Sequence, residues 1–98
     1  MRPEDLPTKK KLIQLAEEAA ELAQASLKMI RAMDGDTPVG EETAWAHVLE
    51  EMADVEVCMY VSTNKENKKK ILDTFNDKYH RWGVRLNGRS EVSEVHTE

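Results

Sequence analysis

Hydrophobic positions in the first two thirds of the chain recur at alternating steps of three and four residues, the spacing of an amphipathic helix. One such seam consists of Leu15, Glu18, Leu22, Ala25 and Met29, and a second consists of Val48, Glu51, Val55 and Cys58. The pattern predicts a first helix from about Thr8 to Met33 and a second helix that ends near Ser62. A glutamate occupies one seam position in each helix, so both acids should point toward the partner helix.

Turn signals separate these helices and introduce a third. Residues 34–38, which read Asp-Gly-Asp-Thr-Pro, mark the first turn. The second helix is expected to start with Thr37 as its N-cap, with Gly40 as an alternative start. A third helix is expected to begin near Asn64 and to end at residues 87–88, or earlier at Gly83.

The predicted fold class is all-α, an antiparallel helical bundle of three main helices completed by homo-oligomerisation. Three amphipathic helices leave one side of a bundle open, and a second copy of the chain is the natural closure, which favours a homodimer or homotetramer. We assign residues 1–88 to one domain. Residues 89–98 lack periodicity and are interpreted as a polar, mobile tail.

Composition limits the function classes. The chain has 98 residues, of which 34% are charged and 5% aromatic, a helix-bundle composition. The net charge of -5 argues against binding to polymeric nucleic acid. No stretch has the length of a membrane span and no signal-type segment follows Met1, so we expect a cytoplasmic protein without a membrane partner. Cys58 is the only cysteine, and we interpret it as a small buried apolar residue.

Two carboxylate pairs carry the clearest chemical signal. Glu18 and Glu21 lie in the first helix, Glu51 and Asp54 lie in the second, and the pairs are symmetric about Asp36 in the turn. Antiparallel helices should therefore bring all four acids to one level. Clustered carboxylates repel one another and lose hydration, so the pattern predicts that a divalent cation compensates them.

These acids also carry a family resemblance. The segments Glu17-Glu18-Ala19-Ala20-Glu21 and Glu51-Met52-Ala53-Asp54 resemble the signature of MazG-like nucleotide pyrophosphohydrolases, the all-α NTP pyrophosphatase superfamily. The resemblance extends from about Leu12 to Arg85. It implies that Glu18, Glu21, Glu51 and Asp54 are catalytic and bind Mg²⁺, with Mn²⁺ as a substitute ion. The implied reaction converts a nucleoside triphosphate to its monophosphate and pyrophosphate, in a housecleaning role or on ordinary nucleotides.

The third helix adds a looser match. Lys78, Arg81 and Arg85 resemble the basic segment that family members use against substrate phosphates. Their spacing of three and four residues places them near one helix face. The alternative interpretation is that they form salt bridges or a solvated surface.

Hydrolysis of a phosphoanhydride can be argued from the residues themselves. It needs cations to offset charge on the phosphate oxygens and a water held in line with the leaving group. Glu17, Glu18 and Glu21 are the candidates to orient that water. We prefer Glu18 and Glu21 as metal ligands, whereas Glu17 either supports a ligand or lies on the surface.

Other chemistry-bearing residues receive structural interpretations. His47, His80 and His96 share no spacing and are expected at the surface or at its boundary rather than as ligands. Trp45 and Trp82 are expected in bundle or dimer contacts in preference to stacking on a nucleobase.

Two other functions remain open. A di-iron carboxylate bundle normally uses Glu-x-x-His pairs, and the chain has none. The stronger alternative is a noncatalytic helical module that binds nucleotides or a protein partner.

A calcium loop is rejected. The segment at residues 34–39 lacks the ligands and glycine of an EF-hand loop.

Overall fold

The computed structural model describes the backbone of residues 1–94 and the side chains of residues 1–88. A short 3-10 turn at Pro3–Asp5 precedes three helices, α1 (Thr8–Met33), α2 (Glu41–Ser62) and α3 (Lys65–Glu94), and the described residues form no strand. The predicted all-α class and number of helices are confirmed. The chain divides into two compact units, the first spanning residues 1–64 and the second beginning at Lys65, and each unit is described by itself.

The first unit is a hairpin of α1 and α2, which pack against each other along the predicted seam. The buried apolar residues of this hairpin are Ala25, Ala32, Ala44 and Val48, and Glu51 is buried with them. The other seam residues, Leu15, Glu18, Leu22, Met29, Val55 and Cys58, are half-buried. Since small side chains dominate the contact, the two helix backbones can approach closely. The predicted seam is therefore confirmed in both helices.

The end of α1 is built by backbone hydrogen bonds around Gly35. The N–H of Asp36 donates to the carbonyl of Arg31 at 2.9 Å, and the N–H of Gly35 donates to the carbonyl of Ala32 at 3.1 Å. This pair of bonds is the Schellman arrangement, which needs a left-handed residue after the helix. Gly35 supplies it with a φ of 74°. The predicted stop at residues 34–35 is confirmed, and it reverses the chain into α2.

The start of α2 differs from our first choice. The helix begins at Glu41 with Gly40 as its N-cap, so the prediction of a start at Thr37 was wrong and the alternative at Gly40 is confirmed. The physical reason is a local turn: the N–H of Val39 donates to Thr37 Oγ1 at 3.4 Å. The Thr37 side chain therefore accepts a hydrogen bond from the linker and not from the first turn of α2.

The helix α3 extends beyond the predicted end. It continues through Gly83 and Gly88 to Glu94, so both predicted stops were wrong. Glycine weakens a helix interior by about 1 kcal/mol relative to alanine but does not end it without a left-handed cap, and Gly35 is the one described glycine with a positive φ. Of the predicted tail, residues 95–98 lie outside the described residues, and its mobility stays a prediction.

Large apolar side chains form a stripe along α3. They are Ile71, Phe75, Tyr79, Trp82 and Leu86, at steps of four, four, three and four, and all are exposed. We call this set the apolar stripe. The rings of Phe75 and Tyr79 are parallel, with centroids 6.1 Å apart. None of the described helices has the length and hydropathy needed to cross a membrane.

Candidate metal centre

Three of the four predicted acids meet in the hairpin. Glu18 of α1 and Glu51 and Asp54 of α2 each offer a carboxylate oxygen, and these oxygens lie within 4.8 Å of one another. We call these three residues the acid cluster. Glu18 is half-buried, Glu51 is buried and Asp54 is exposed, so the cluster opens from the helix contact toward solvent. An arrangement of this kind can take a cation on its open side.

Glu51 is the most constrained member of the acid cluster. It is only 7% exposed. Its Oε2 lies 3.1 Å from His47 Nε2, whereas its buried Oε1 has no hydrogen-bond partner among the described residues. A buried carboxylate oxygen without a partner is costly. A divalent cation bound by the acid cluster would compensate this oxygen, and carboxylate oxygens are the ligands that Mg²⁺ prefers. The residues present therefore fit such an ion.

Glu18 is held from its own helix and perturbed by its neighbours. Gln14 Nε2 donates a hydrogen bond to Glu18 Oε2 at 2.8 Å. The pKa of Glu18 is raised above its ordinary value, mainly because burial disfavours the charged form; the Gln14 bond opposes this, and the negative charges of Glu21 and Asp54 add to it. Burial and the same cluster, through Glu18 and Asp54, also raise the pKa of the Cys58 thiol.

The fourth predicted acid, Glu21, lies beside Glu18 but outside the acid cluster. Its side chain is exposed, and its charge acts on Glu18. The three-residue step turns Glu21 about 60° away from Glu18 around the helix, toward the flank of the seam. Glu17 is also exposed. Glu21 therefore contacts Glu18, through a side-chain hydrogen bond that also raises the Glu18 pKa, without joining the three acids that converge.

Sequence reasoning missed His47 and Gln14. His47 contacts Glu51 and also forms a second group of possible ligands with Glu50 and Glu51. Each contact joins residues that are four apart on the same helix: Gln14 and Glu18 on α1, and His47 and Glu51 on α2. That four-residue spacing was the available signal, because side chains four apart on a helix are neighbours.

The three predicted basic residues of α3 do share one face. Lys78, Arg81 and Arg85 line a cavity of about 240 Å³ together with Trp82. Arg81 also forms a salt bridge with Asp77, with Nη2 and Oδ2 3.1 Å apart. The alternative interpretation, that these residues form salt bridges, therefore holds for Arg81. The use of this face against phosphate stays a prediction.

Glu18 should make the metal-free protein less stable as the pH rises. Its pKa in the folded chain lies above the ordinary value of 4.5, so the folded state holds the Glu18 proton at pH values where the unfolded chain has released it. The resulting stabilisation is full below pH 4.5 and is lost as the pH rises through the raised pKa. In urea unfolding of metal-free protein, the Glu18→Gln variant should lack this decline.

The matched control is Glu17→Gln, which makes the same charge change at the exposed neighbouring position. It should keep the decline of the unfolding free energy with pH. Equal pH dependence in the wild-type and Glu18→Gln proteins would contradict the prediction.

Comparison of the chain with protein-family models, with curated proteins and with solved structures gives no match. The resemblance of its acidic motifs to MazG-like enzymes therefore stays a hypothesis. What supports a function is the geometry of the acid cluster and the chemistry of its residues.

Proposed function

We propose that the protein is a Mg²⁺-dependent nucleoside triphosphate pyrophosphohydrolase of the MazG-like type. The observation that carries the proposal is the buried, unpartnered Oε1 of Glu51, in a carboxylate group that also meets Glu18 and Asp54. Acids at these positions are those that the motif resemblance assigns to metal binding. The proposal includes a cytoplasmic location, where nucleotide substrates are abundant.

The residues divide the work as follows. Glu18, Glu51 and Asp54 would hold the cation, and His47 and Gln14 orient Glu51 and Glu18 through their side chains. A bound Mg²⁺ would supply positive charge to the phosphate oxygens. Glu21 is exposed beside Glu18, so its carboxylate is available to orient the attacking water. Water attack at the α-phosphorus would release pyrophosphate and leave a nucleoside monophosphate.

The proposal also includes a second copy of the chain. The apolar stripe of α3 is exposed, and the basic face formed by Lys78, Arg81 and Arg85 lies on the same helix. Contact between copies through the stripe would bury apolar surface. A homodimer or homotetramer is therefore part of the proposed active form.

One observation favours a second function, a noncatalytic nucleotide-binding module. Glu21 lies outside the acid cluster, so the described hairpin gathers three of the four acids that the resemblance assigns to catalysis. A site with fewer ligands could bind a nucleotide with its ion without turning it over.

A nucleotide panel separates the two functions. Ordinary and modified nucleoside triphosphates would be incubated with the protein and Mg²⁺, and pyrophosphate, monophosphate and orthophosphate would be measured separately. The enzyme should release pyrophosphate and monophosphate in equal amounts from at least one nucleotide, and chelation of the ion should stop the reaction. Saturable nucleotide binding without turnover would reject the enzyme in favour of the module.

A further inference from the structure

A cavity of about 340 Å³ lies at the turn end of the hairpin, and the acid cluster does not use it. Its polar lining is Lys28 and Arg31 of α1, Thr37 of the linker, and Thr43 and His47 of α2, and its apolar lining is Val39 and Ala44. This volume lies within the range of small-ligand sites. The polar lining consists of two cations, two hydroxyl groups and one imidazole, with no carboxylate. Because the two cationic side chains face no carboxylate in this lining, the cavity favours an anionic ligand, although the chain as a whole has a net charge of -5.

The two cations of this cavity are free to bind a ligand. Lys28 and Arg31 are three residues apart, so they project from neighbouring positions on α1, about 60° apart. Neither forms an ion pair in the part of the chain that the structure describes. An ammonium and a guanidinium together offer many donors and no acceptor. A phosphate group can use several of these donors at once.

Donors from α2 complete the lining. Thr43 lies in the first turn of α2, and the N-cap Gly40 makes no side-chain cap bond to that turn. The Thr37 oxygen accepts the N–H of Val39 at 3.4 Å, which leaves its hydroxyl hydrogen to donate. Amides of a helix start attract negative charge; Glu41 and Glu42 of the same turn are acidic but do not line the cavity. Groups from both helices and the linker that can bind an anion therefore line one cavity.

His47 connects this cavity to the acid cluster. It lines the cavity, and its Nε2 lies 3.1 Å from Glu51 Oε2. Positions 47 and 51 are about 6 Å, slightly more than one helical turn, apart along α2. An anion in the cavity would thus lie close to the position where the acid cluster can hold a cation. A chain of several phosphates can extend from one to the other.

We infer that this cavity binds the β- and γ-phosphates of the triphosphate, the part that leaves as pyrophosphate. The inference rests on the proposed function for its substrate class. Lys28 and Arg31 neutralise the phosphate oxygens, Thr37 and Thr43 donate hydrogen bonds, and the α-phosphate faces the acid cluster. In this arrangement, the hairpin itself distinguishes a triphosphate from a monophosphate.

The test measures anion binding without catalysis. Inorganic tripolyphosphate, with no divalent ion and at low salt, is titrated calorimetrically into the full chain. The Lys28→Gln/Arg31→Gln variant should bind it at least about tenfold more weakly than wild type, because charge-assisted hydrogen bonds are lost. The matched control is Lys9→Gln/Lys10→Gln, which removes two charges from exposed positions in the first turn of α1. It should change the affinity less than about twofold.

The outcomes separate this inference from the proposed function. Absence of saturable binding to wild type, or equal weakening in the two double variants, overturns the inference even if nucleotides are hydrolysed. Selective weakening in Lys28→Gln/Arg31→Gln supports the anion site, and does so even if no nucleotide is turned over, in which case the enzyme proposal fails alone. Circular dichroism of each variant shows whether the helices are retained.

Discussion

Replacing Glu51 by glutamine is expected to reduce magnesium-dependent nucleotide turnover at least about 100-fold, since residues that merely support metal ligands are worth 10–100-fold. The change keeps the shape of the side chain and leaves an amide oxygen for the contact with His47. It removes the negative charge from the buried Oε1, which is the oxygen best placed to bind the ion. Steady-state rates over a range of Mg²⁺ concentrations measure the effect.

The matched control is Glu56→Gln, an equal charge change at an exposed position of α2 outside the acid cluster. It should retain near-full turnover. Corresponding amides at Glu18, Glu21 and Asp54 should also abolish turnover, and near-full activity in any two of the four variants would contradict the site. The metal-free Glu51→Gln protein should be at least as stable as wild type, because the carboxylate whose buried Oε1 has no hydrogen-bond partner becomes neutral, while an amide oxygen remains for the contact with His47.

A second large effect is expected at the apolar stripe of α3. Phe75 is 60% exposed and Tyr79 is 70% exposed in the single chain, an exposure that a second copy would reduce. We expect sedimentation of the wild type to show no folded monomer at micromolar concentration. Phe75→Lys should weaken association at least about 100-fold, because a central aromatic contact is lost and a symmetric dimer contains the substitution twice.

The control for this substitution is His80→Lys, which adds a lysine on the side of α3 away from the apolar stripe. It should leave the sedimentation coefficient unchanged. A stable, folded wild-type monomer would overturn the oligomer proposal. Equal weakening by both lysine substitutions would point to net charge as the cause rather than the stripe.

The pairing of α1 with α2 was predictable because one physical rule decides it. Residues at alternating steps of three and four lie on one side of a helix, and the turn at residues 34–35 fixes which seam positions face each other. Glu18 and Glu51 were placed in the seam by this rule alone, and both lie there. Symmetry about the turn also brought Asp54 to their level.

The remaining features depend on interactions that the periodicity does not contain. Thr37 could have capped α2, but a turn of the linker uses its oxygen instead. Gly83 and Gly88 could have ended α3, but a glycine ends a helix only when the following backbone supplies a cap. His47 shared no spacing with the other histidines, and its importance comes from Glu51 one turn later. Glu21 sits on the flank of the seam, where rotation of a single helix decides whether it joins the acid cluster.

Hydrolysis of a nucleoside triphosphate in ¹⁸O-labelled water tests the central claim most directly, since the position of water attack decides which product keeps the solvent oxygen. The proposed reaction, with attack at the α-phosphorus and pyrophosphate as the leaving group, places the label in the nucleoside monophosphate. Mass spectrometry of the products should find one solvent oxygen in the monophosphate and none in the pyrophosphate. Label in orthophosphate together with a nucleoside diphosphate product would mean attack at the γ-phosphorus and would contradict the account.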